Sequence, residues 1–162
     1  MKINLEIVTG NFRVQLENKT WINRYSHIMA GAEIGENSMI GQGCYVGSTA
    51  KIGSNTRIQN GNNIWDGVEI GSNVFIGPQC VLTNHHDPTH RLRGEEFKPD
   101  KTIIKDYATI CAGAVIVAPC TIEEYGVVAA GSVLLRDVDK KEKVYGLVKK
   151  LKQSIAWWKR ND

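Results

Sequence analysis

Several features are absent or scarce in this sequence of 162 residues, and each absence excludes a class of protein. No apolar run of about eighteen residues occurs, so no transmembrane helix is expected. Residues 1–10 include Lys2 and Glu6 and lack the apolar core of a signal peptide, which predicts a mature cytoplasmic protein. Only four cysteines are present, and because the chain is not small and loop-rich, a disulfide framework is not expected.

The charge of the chain is small but unevenly distributed. The formal net charge is +3, whereas the segment from Asp139 to Asp162 alone contains eight Lys or Arg residues and three acids. The rest of the chain is therefore slightly acidic. No patch of interleaved basic and aromatic residues occurs outside this tail, so nucleic-acid binding is not expected.

A six-residue repeat dominates what the sequence does contain. Aliphatic residues recur at every sixth position in two unbroken registers. The residue two positions before the aliphatic one is usually small, and Gly or Asn often follows it by three positions. The aliphatic positions are Leu16, Ile22, Ile28, Ile34, Ile40, Val46, Ile52, Ile58, Ile64, Ile70, Ile76 and Leu82, and then Ile104, Ile110, Ile116, Ile122, Val128 and Leu134.

This spacing predicts an all-β fold, a parallel β-helix. Residues two apart in a strand share a face, so the aliphatic and the small residue both point into a narrow interior. Gly and Asn tolerate positive φ and mark corners. Three repeat units close one coil, which predicts about six coils. Cys44, Cys80 and Cys120 are predicted to fill the core, whereas Cys111 should face outward.

The interruption of the repeat predicts where function lies. Leu82 and Ile104 are 22 positions apart, so about sixteen residues are extra, and residues 83–103 should form an ejected loop. The loop contains three of the four histidines of the chain, and long loops on a compact repeat are commonly functional. The alternative is a solvated flap with incidental histidines. We therefore predict a β-helix domain at 1–138 and a basic helical tail at 139–162.

The coil period also predicts which outward residues stack beneath this loop. Residues one coil apart lie above one another, so Asp66 should lie directly below Asn84. Trp65 should be exposed nearby, as a subunit contact or a ligand platform. The polar column predicted beside them consists of His27, Tyr45 and Asn63.

Particular segments of the repeat resemble a known family. They are residues 27–35, 41–47, 58–60, 65–68, 77–78, 83–84, 87–88 and 129–133. Together these segments are similar to hexapeptide-repeat acyltransferases that use acetyl-CoA, and most closely to the sugar-nucleotide N-acetyltransferases of surface-polysaccharide synthesis. The resemblance extends over residues 27–138 and implies left-handed winding of the β-helix.

The resemblance implies a reaction and a set of roles. An amine on a UDP- or dTDP-linked amino sugar attacks the thioester of acetyl-CoA directly, in a homotrimer with active sites between subunits and without a metal. The Asn that matches Asn84 orients the amine, and a backbone N–H, that of Ala112 or Gly113, meets the oxyanion. The resemblance, the coil phase and the charge pattern together give three sets of candidate residues. The candidate catalytic residues are Asn84, His85, His86 and Asp66. The candidate substrate-binding residues are His27, Gln42, Tyr45, Asn60, Asn63, Arg91, Arg93 and Lys98, of which Arg91, Arg93 and Lys98 rest on charge and position alone. The candidate cofactor-binding residues are Ala112, Gly113, Ala130, Gly131, Lys149 and Lys150.

Three departures from the family pattern leave alternatives open. His85 and His86 follow Asn84, so a loop histidine could act as general base in O-acetylation of a sugar hydroxyl. Cys111 stands where the family has Gly, which affects the local acyl contact. The stretch 145–150 lacks the family's Pro, so a helix could continue through the tail, with Lys149 and Lys150 meeting coenzyme A phosphates.

Two other classes of protein were weighed against the transferase. The spacing of His85 and His90 suggests a zinc-dependent β-helical lyase, but both residues lie in the ejected loop rather than in the coils. A non-catalytic structural β-helix would gain nothing from an ejected polar loop. Binding of the tryptophan-containing basic tail to a membrane is not expected.

Overall fold

The computed structural model describes residues 1–85 and 98–149, which fold as three sheets of very short strands around one narrow core. Face 1 contains β2 (Val14–Gln15), β3 (Trp21–Ile22), β6 (Met39–Ile40), β9 (Arg57–Ile58), β12 (Phe75–Ile76), β15 (Thr109–Ile110), β18 (Val127–Val128) and β20 (Lys143–Val144). Face 2 contains β1 (Ile7–Val8), β4 (His27–Ile28), β7 (Tyr45–Val46), β10 (Asn63–Ile64), β13 (Val81–Leu82), β16 (Val115–Ile116), β19 (Val133–Leu134) and β21 (Leu147–Val148). Face 3 contains β5 (Glu33–Ile34), β8 (Lys51–Ile52), β11 (Val68–Ile70), β14 (Thr102–Ile104) and β17 (Cys120–Ile122).

From β3 to β19 the chain visits faces 1, 2 and 3 in turn, and neighbouring strands of successive coils pair in parallel. Asn63 pairs with Tyr45, for example, at the predicted separation of one coil. Val68 pairs with Thr102, so the coil that contains the excursion holds sixteen residues more than its neighbours. The predicted all-β, left-handed parallel β-helix of about six coils with one ejected loop is confirmed. Strand β14 begins at Thr102, so the excursion ends at residue 101, two residues earlier than the predicted end at 103.

The core is the inward aliphatic column. Ile22, Ile64 and Ile122 are completely buried, as are most residues of that column. The small inward column fills the remaining space, and its hydroxyls donate to backbone carbonyls of the next coil, as Ser26 Oγ does to Gly41 O at 2.8 Å. The prediction for Cys44, Cys80 and Cys120 is confirmed, since all three are buried. Burial raises the pKa of each of these thiols, that of Cys120 to about 12.

The lowest coil is covered by a chain segment that runs in the opposite direction. β1 and β2 pair antiparallel with β4 and β3, with Ile7 opposite Ile28 and Val14 opposite Ile22. The chain reverses near Lys19, whose φ is 64°. Leu16 therefore belongs to the reversal, and the parallel coils begin one repeat unit later than predicted. This segment pairs with a strand edge that would otherwise be open.

Residues 139–149 continue the coils instead of forming a helix. β20 pairs with β18, and β21 pairs with β19. Val144 in β20 and Val148 in β21 point inward and are buried. The helical prediction is therefore wrong for residues 139–149, because two further strands bury both side chains in the core. Residues 150–162 lie outside the described part of the chain. Within the described residues, no helix is long and apolar enough to cross a membrane.

Candidate active site

The first part of the candidate site lies where face 2 turns into face 3. Asn84 follows β13 at this corner, and its Nδ2 donates to the backbone oxygen of Asp66 at 3.3 Å. The excursion closes on the same residue, because the N–H of Asp100 donates to Asn84 O at 2.9 Å. A Cβ on Gly67, whose φ is +84°, would lie 3.0 Å from Pro99, so glycine at this position admits the returning chain. The prediction that Asp66 lies below Asn84 is confirmed.

The Asp66 carboxylate is fixed by the coil below it. Its Oδ1 accepts hydrogen bonds from Thr49 N at 2.8 Å, Thr49 Oγ1 at 3.0 Å and Ser48 Oγ at 3.1 Å. Partial burial raises the pKa of Asp66, but these hydrogen bonds outweigh burial and hold the pKa below its ordinary value. The carboxylate is thus ionised at neutral pH, and its Oδ1 is committed to the corner.

Three ring-containing side chains, His27, Tyr45 and Trp65, contact one another in a column along the outside of face 2, and the column ends at this corner. The rings of His27 and Tyr45 meet edge to face at 5.6 Å between centroids, and Tyr45 lies 5.1 Å from the indole of Trp65. His27 Nε2 pairs with the carboxylate of Glu6. Asn63 is exposed one coil above Tyr45. The predicted outward column is therefore confirmed, and Trp65 is exposed as expected.

Only some of the predicted loop residues can be placed. His85 is half-buried directly after Asn84, and Lys98 is exposed on the returning segment. His86, Arg91 and Arg93 lie outside the described residues.

The second part of the candidate site lies at the corner between faces 1 and 2. Four residues occupy equivalent positions there on successive coils, in the order Asn60, Pro78, Ala112 and Ala130. At other corners a backbone N–H donates to a side-chain oxygen of the coil above; Gln42 N, for example, donates to Asn60 Oδ1 at 2.9 Å. Ala130 has no such oxygen. In the part of the chain that the structure describes, the exposed N–H of Ala112 has no acceptor, nor does that of Ala130.

The neighbouring glycines differ from the alanines in this respect. Gly113 N donates to Pro78 O at 3.0 Å, and Gly131 N donates to Ala112 O at 3.0 Å. The hydrogen of Gly113 N is already used within the corner, so of the two predicted oxyanion donors Ala112 is the one whose N–H has no acceptor among the described residues. Both glycines have φ of +67° and open space around the position of a Cβ.

The structure thus divides the predicted site residues between two corners. Asp66, Asn84 and His85 belong to the corner between faces 2 and 3, whereas Gln42 and Asn60 stack with Ala112 at the other. Pro78 and Asn84 mark the two ends of face 2 in one coil and are six positions apart, a span on the order of 15–20 Å for extended chain. One chain does not bring Asn84 and Ala112 to the same reacting atom.

The remaining predicted ligands lie apart from both corners. Lys149 is exposed beyond β21 on face 2, above Leu135 rather than above Ala130. Lys150 lies outside the described residues. Cys111 is half-buried on the outside of face 1, next to Ala112. Among residues 1–85 and 98–149, no group of three or more His, Cys, Asp or Glu residues is arranged to hold a metal ion.

One buried polar residue escaped the sequence interpretation. Asn62 occupies the small inward column and is completely buried. Its Nδ2 donates to Gln59 O at 2.6 Å and Gly77 O at 2.9 Å, and its Oδ1 accepts from Cys80 N at 3.0 Å. Its position two residues before Ile64 was the available signal. These three bonds connect the corner after β9 to the corner after β12, where Gly77 lies directly against the backbone of Ala112. Asn62 therefore helps to position the backbone next to Ala112.

Residues 13–48 and 49–84 match the family described as bacterial transferase hexapeptide (six repeats). The match covers less than half of the chain and shows hexapeptide repeats in residues 13–84. The predicted resemblance to hexapeptide-repeat transferases is confirmed over these residues. No curated protein sequence matches the chain.

Solved structures share the fold of this hexapeptide-repeat chain. PerB from Caulobacter crescentus, in complex with CoA and GDP-perosamine, has 19% identity and a TM-score of 0.66 over 78% of this chain and 54% of PerB. A variant of AntD, an N-acyltransferase from Bacillus cereus bound to dTDP-4-amino-4,6-dideoxyglucose and coenzyme A, has 20% identity and a TM-score of 0.61 over 75% and 76%. The acetyltransferase VCA0836 from Vibrio cholerae O1 biovar eltor, with acetyl coenzyme A, has 28% identity and a TM-score of 0.59 over 72% and 66%. The chain spans about half the length of PerB.

Proposed function

We propose that this chain is an acetyl-CoA-dependent N-acetyltransferase that acts on the amino group of a nucleotide-linked amino sugar. The observation that carries the proposal is the presence of two complementary corners on the chain: Asn84 at one has an oriented amide oxygen, and Ala112 at the other has a backbone N–H without an acceptor among the described residues. PerB and AntD support it, since each similar structure holds coenzyme A together with a nucleotide-linked amino sugar.

The Asn84 corner receives the acceptor. Because Nδ2 of Asn84 is used by Asp66 O, the amide presents Oδ1 as an acceptor for an N–H of the sugar amine. The ionised Asp66 carboxylate below it attracts the protonated amino group of an incoming amino sugar more strongly than an uncharged hydroxyl. Arg91, Arg93 and Lys98 are proposed as phosphate contacts on the strength of their charge and their position in the excursion.

The Ala112 corner receives the thioester. Ala112, Gly113, Ala130 and Gly131 form a surface without large side chains, along which the pantetheine arm can lie. The N–H of Ala112 has no acceptor among residues 1–85 and 98–149 and is suited to the oxyanion that develops on the thioester oxygen. Lys149 and Lys150 remain proposals as partners of the coenzyme A phosphates.

The reaction proceeds by direct attack. The amine lone pair forms the C–N bond at the thioester carbonyl, and the carbonyl electrons move to the oxygen facing the N–H of Ala112. When the carbonyl re-forms, the C–S bond breaks, and the thiolate of coenzyme A receives the proton lost by the nitrogen. Holding two reactants in this geometry lowers the barrier without an acyl-enzyme.

A homotrimer would place the Asn84 corner of one chain against the Ala112 corner of the next. The span of face 2 between these corners in a single chain is the reason for proposing sites between subunits. Exposed apolar groups on face 2, such as Val81 and Leu147, supply surface for the contact. We propose a cytoplasmic location because acetyl-CoA is available there.

A substrate panel tests the proposed function. Purified chain is incubated with acetyl-CoA and either amino-sugar nucleotides or their hydroxyl counterparts, while release of the free thiol and the mass of the product are followed. We expect acetylated amide product from at least one amino-sugar nucleotide and none from its hydroxyl counterpart. Acetyl ester formed on hydroxyl sugars alone would favour a loop-histidine general base and contradict the proposal. Absence of any transfer would also contradict it.

A further inference from the structure

We infer that Trp65 is the platform on which the pyranose ring of the acceptor stacks, an inference that rests on the proposed function. Trp65 directly precedes Asp66, whose backbone oxygen holds the Asn84 amide. Its side chain is 39% exposed, although it is the largest apolar group at this corner. An exposed indole beside a convergent polar group is a typical ligand-binding arrangement.

Among the described residues, the indole of Trp65 is contacted from below by an aromatic ring and has a smaller residue above it. Tyr45 lies against it at 5.1 Å with an interplanar angle of 45°, and Tyr45 is itself fixed by the edge of His27. The residue one coil above Trp65 is Thr83, which is much smaller. Thr83 Oγ1 accepts a hydrogen bond from Ala118 N at 2.9 Å, so its polar atom is engaged with the next coil up. The stacking surface is therefore preorganised before any ligand arrives.

The position of Trp65 selects the sugar ring rather than the nucleobase. The amine that Asn84 orients is a substituent of the pyranose, so the ring must lie within one bond of that amine. Trp65 is the residue directly before Asp66, whose backbone oxygen accepts the hydrogen bond from Asn84 Nδ2. The nucleobase is separated from the amine by the whole sugar, two phosphates and a ribose, which places it beyond this corner.

The local charge is suited to an amino sugar. Partial burial, followed by the charges of Asp66 and Glu6, raises the pKa of Tyr45, as expected for a column in a negative field. An amino sugar arrives largely as an ammonium ion, is attracted to this field, and releases one proton to solvent before its neutral amine attacks the thioester. The aromatic face of Trp65 then covers the C–H face of the ring, while the polar edge and the amine face Asn84.

Trp65→Ala is compared with Phe75→Ala, which removes an aromatic side chain of matched exposure, 38%, from the outside of face 1. We expect Trp65→Ala to raise KM for the amino-sugar nucleotide about ten- to a hundredfold, with KM for acetyl-CoA unchanged. Phe75→Ala should leave both values unchanged, and Trp65→Phe should restore most of the affinity. Titration with the sugar nucleotide should shift the tryptophan emission of the native protein but not that of Trp65→Phe.

Three outcomes would overturn the inference. The first is an active Trp65→Ala variant with unchanged KM for the sugar nucleotide. The second is an equal rise in KM for acetyl-CoA, which would mark a general disturbance of the site. The third is dissociation of Trp65→Ala into smaller assemblies in sedimentation analysis, which would assign Trp65 to a subunit contact. If the native chain itself transfers no acetyl group, the proposed function fails instead, and the two failures are distinguishable.

Discussion

The side-chain amide of Asn84 reaches down one coil and donates from Nδ2 to the backbone oxygen of Asp66 at 3.3 Å. This bond decides which atom of the amide is left for a ligand. With the donor used, Oδ1 is the atom available to accept a hydrogen bond from an attacking amine. The orientation follows from the coil period, because Asp66 and Asn84 occupy the same corner of successive coils.

Replacement of Asn84 by alanine is expected to lower kcat/KM about a hundredfold or more, because the acceptor amine loses its orienting partner. Stability should fall by only about 1 kcal/mol, since a single partly exposed hydrogen bond is lost. Steady-state kinetics and urea unfolding measure the two effects. Asn73→Gly, which removes an amide from the corner between faces 3 and 1, is the control and should retain full activity. Full activity of Asn84→Ala would contradict the assignment.

The coil period accounts for most of what the sequence could predict. It placed Asp66 under Asn84 and stacked His27, Tyr45 and Asn63, because residues one coil apart must lie above one another in a parallel β-helix. It also located the excursion after Leu82. These are consequences of backbone geometry and do not depend on the details of side-chain packing.

The period could not determine strand direction or hydrogen-bond availability. Leu16 fits the aliphatic column equally well in a reversed strand, so the antiparallel segment was missed. Val144 and Val148 are four positions apart, a spacing typical of a helix. In the structure both point inward from successive strands, because the corner between these strands, at Gly146 with a φ of 73°, is shorter than the other corners. Whether Gly113 N–H is free depends on Pro78 O in the coil below, which becomes evident only in the folded chain.

Asp66→Asn is expected to destabilise the chain by about 1 kcal/mol at pH 7, because hydrogen bonds to a charged acceptor are stronger than those to a neutral one. The folded pKa of Asp66 lies below its unfolded value of 3.8, so this contribution is fully present above pH 3.8. It is lost as the pH falls through the folded pKa. Urea midpoints of native and variant protein should therefore converge as the pH is lowered below 3.8 and through the folded pKa. Asp106→Asn, whose carboxylate accepts one backbone N–H at 2.8 Å, should show a smaller difference.

The Arg136–Glu142 pair is expected to stabilise the last coil in a pH-dependent way. Arg136 donates to both oxygens of Glu142 at 2.9 and 2.6 Å, and Asp139 N donates to Oε2 at 2.9 Å. These bonds, the Arg136 bond foremost, lower the pKa of Glu142 from 4.5 to about 2. Stability from the pair is present above pH 4.5 and is lost between about pH 4.5 and 2. Glu142→Gln should cost about 1–2 kcal/mol in urea unfolding at pH 7 and almost nothing near pH 2. An equal cost at both pH values would contradict a charge effect.

Gln79→Gly is expected to stabilise the chain by about 0.5–1 kcal/mol. Gln79 has φ of 55° in a corner where Gly61 and Gly113 occupy the equivalent positions of the adjacent coils. A side chain other than Asn is strained in this region, and glycine relieves the strain. Asn73→Gly is the matched comparison, with a φ of 58° and an expected gain near zero because Asn tolerates positive φ. Thermal and urea unfolding would show whether the two variants differ in this order.

Ala112→Pro removes one backbone N–H while keeping a residue that this corner already accepts, since Pro78 occupies the same place one coil below. No hydrogen bond of the described chain is lost, because the N–H of Ala112 has no protein acceptor there. We expect unchanged unfolding behaviour and a fall in kcat of about a hundredfold to a thousandfold, the effect of deleting an oxyanion donor.

Mixing the two inactive variants then tests whether the site is shared. Asn84→Ala and Ala112→Pro chains are unfolded, combined and refolded together, with each variant refolded alone as the control. If one subunit supplies Asn84 and its neighbour supplies Ala112, some interfaces in mixed trimers contain both native residues, and about a quarter of the native activity should return by random assembly. A site within one chain could not recover, because every chain in the mixture carries one defect. The mixed sample would then show only the residual activity of the two variants, and the homotrimer with sites between subunits would have to be abandoned.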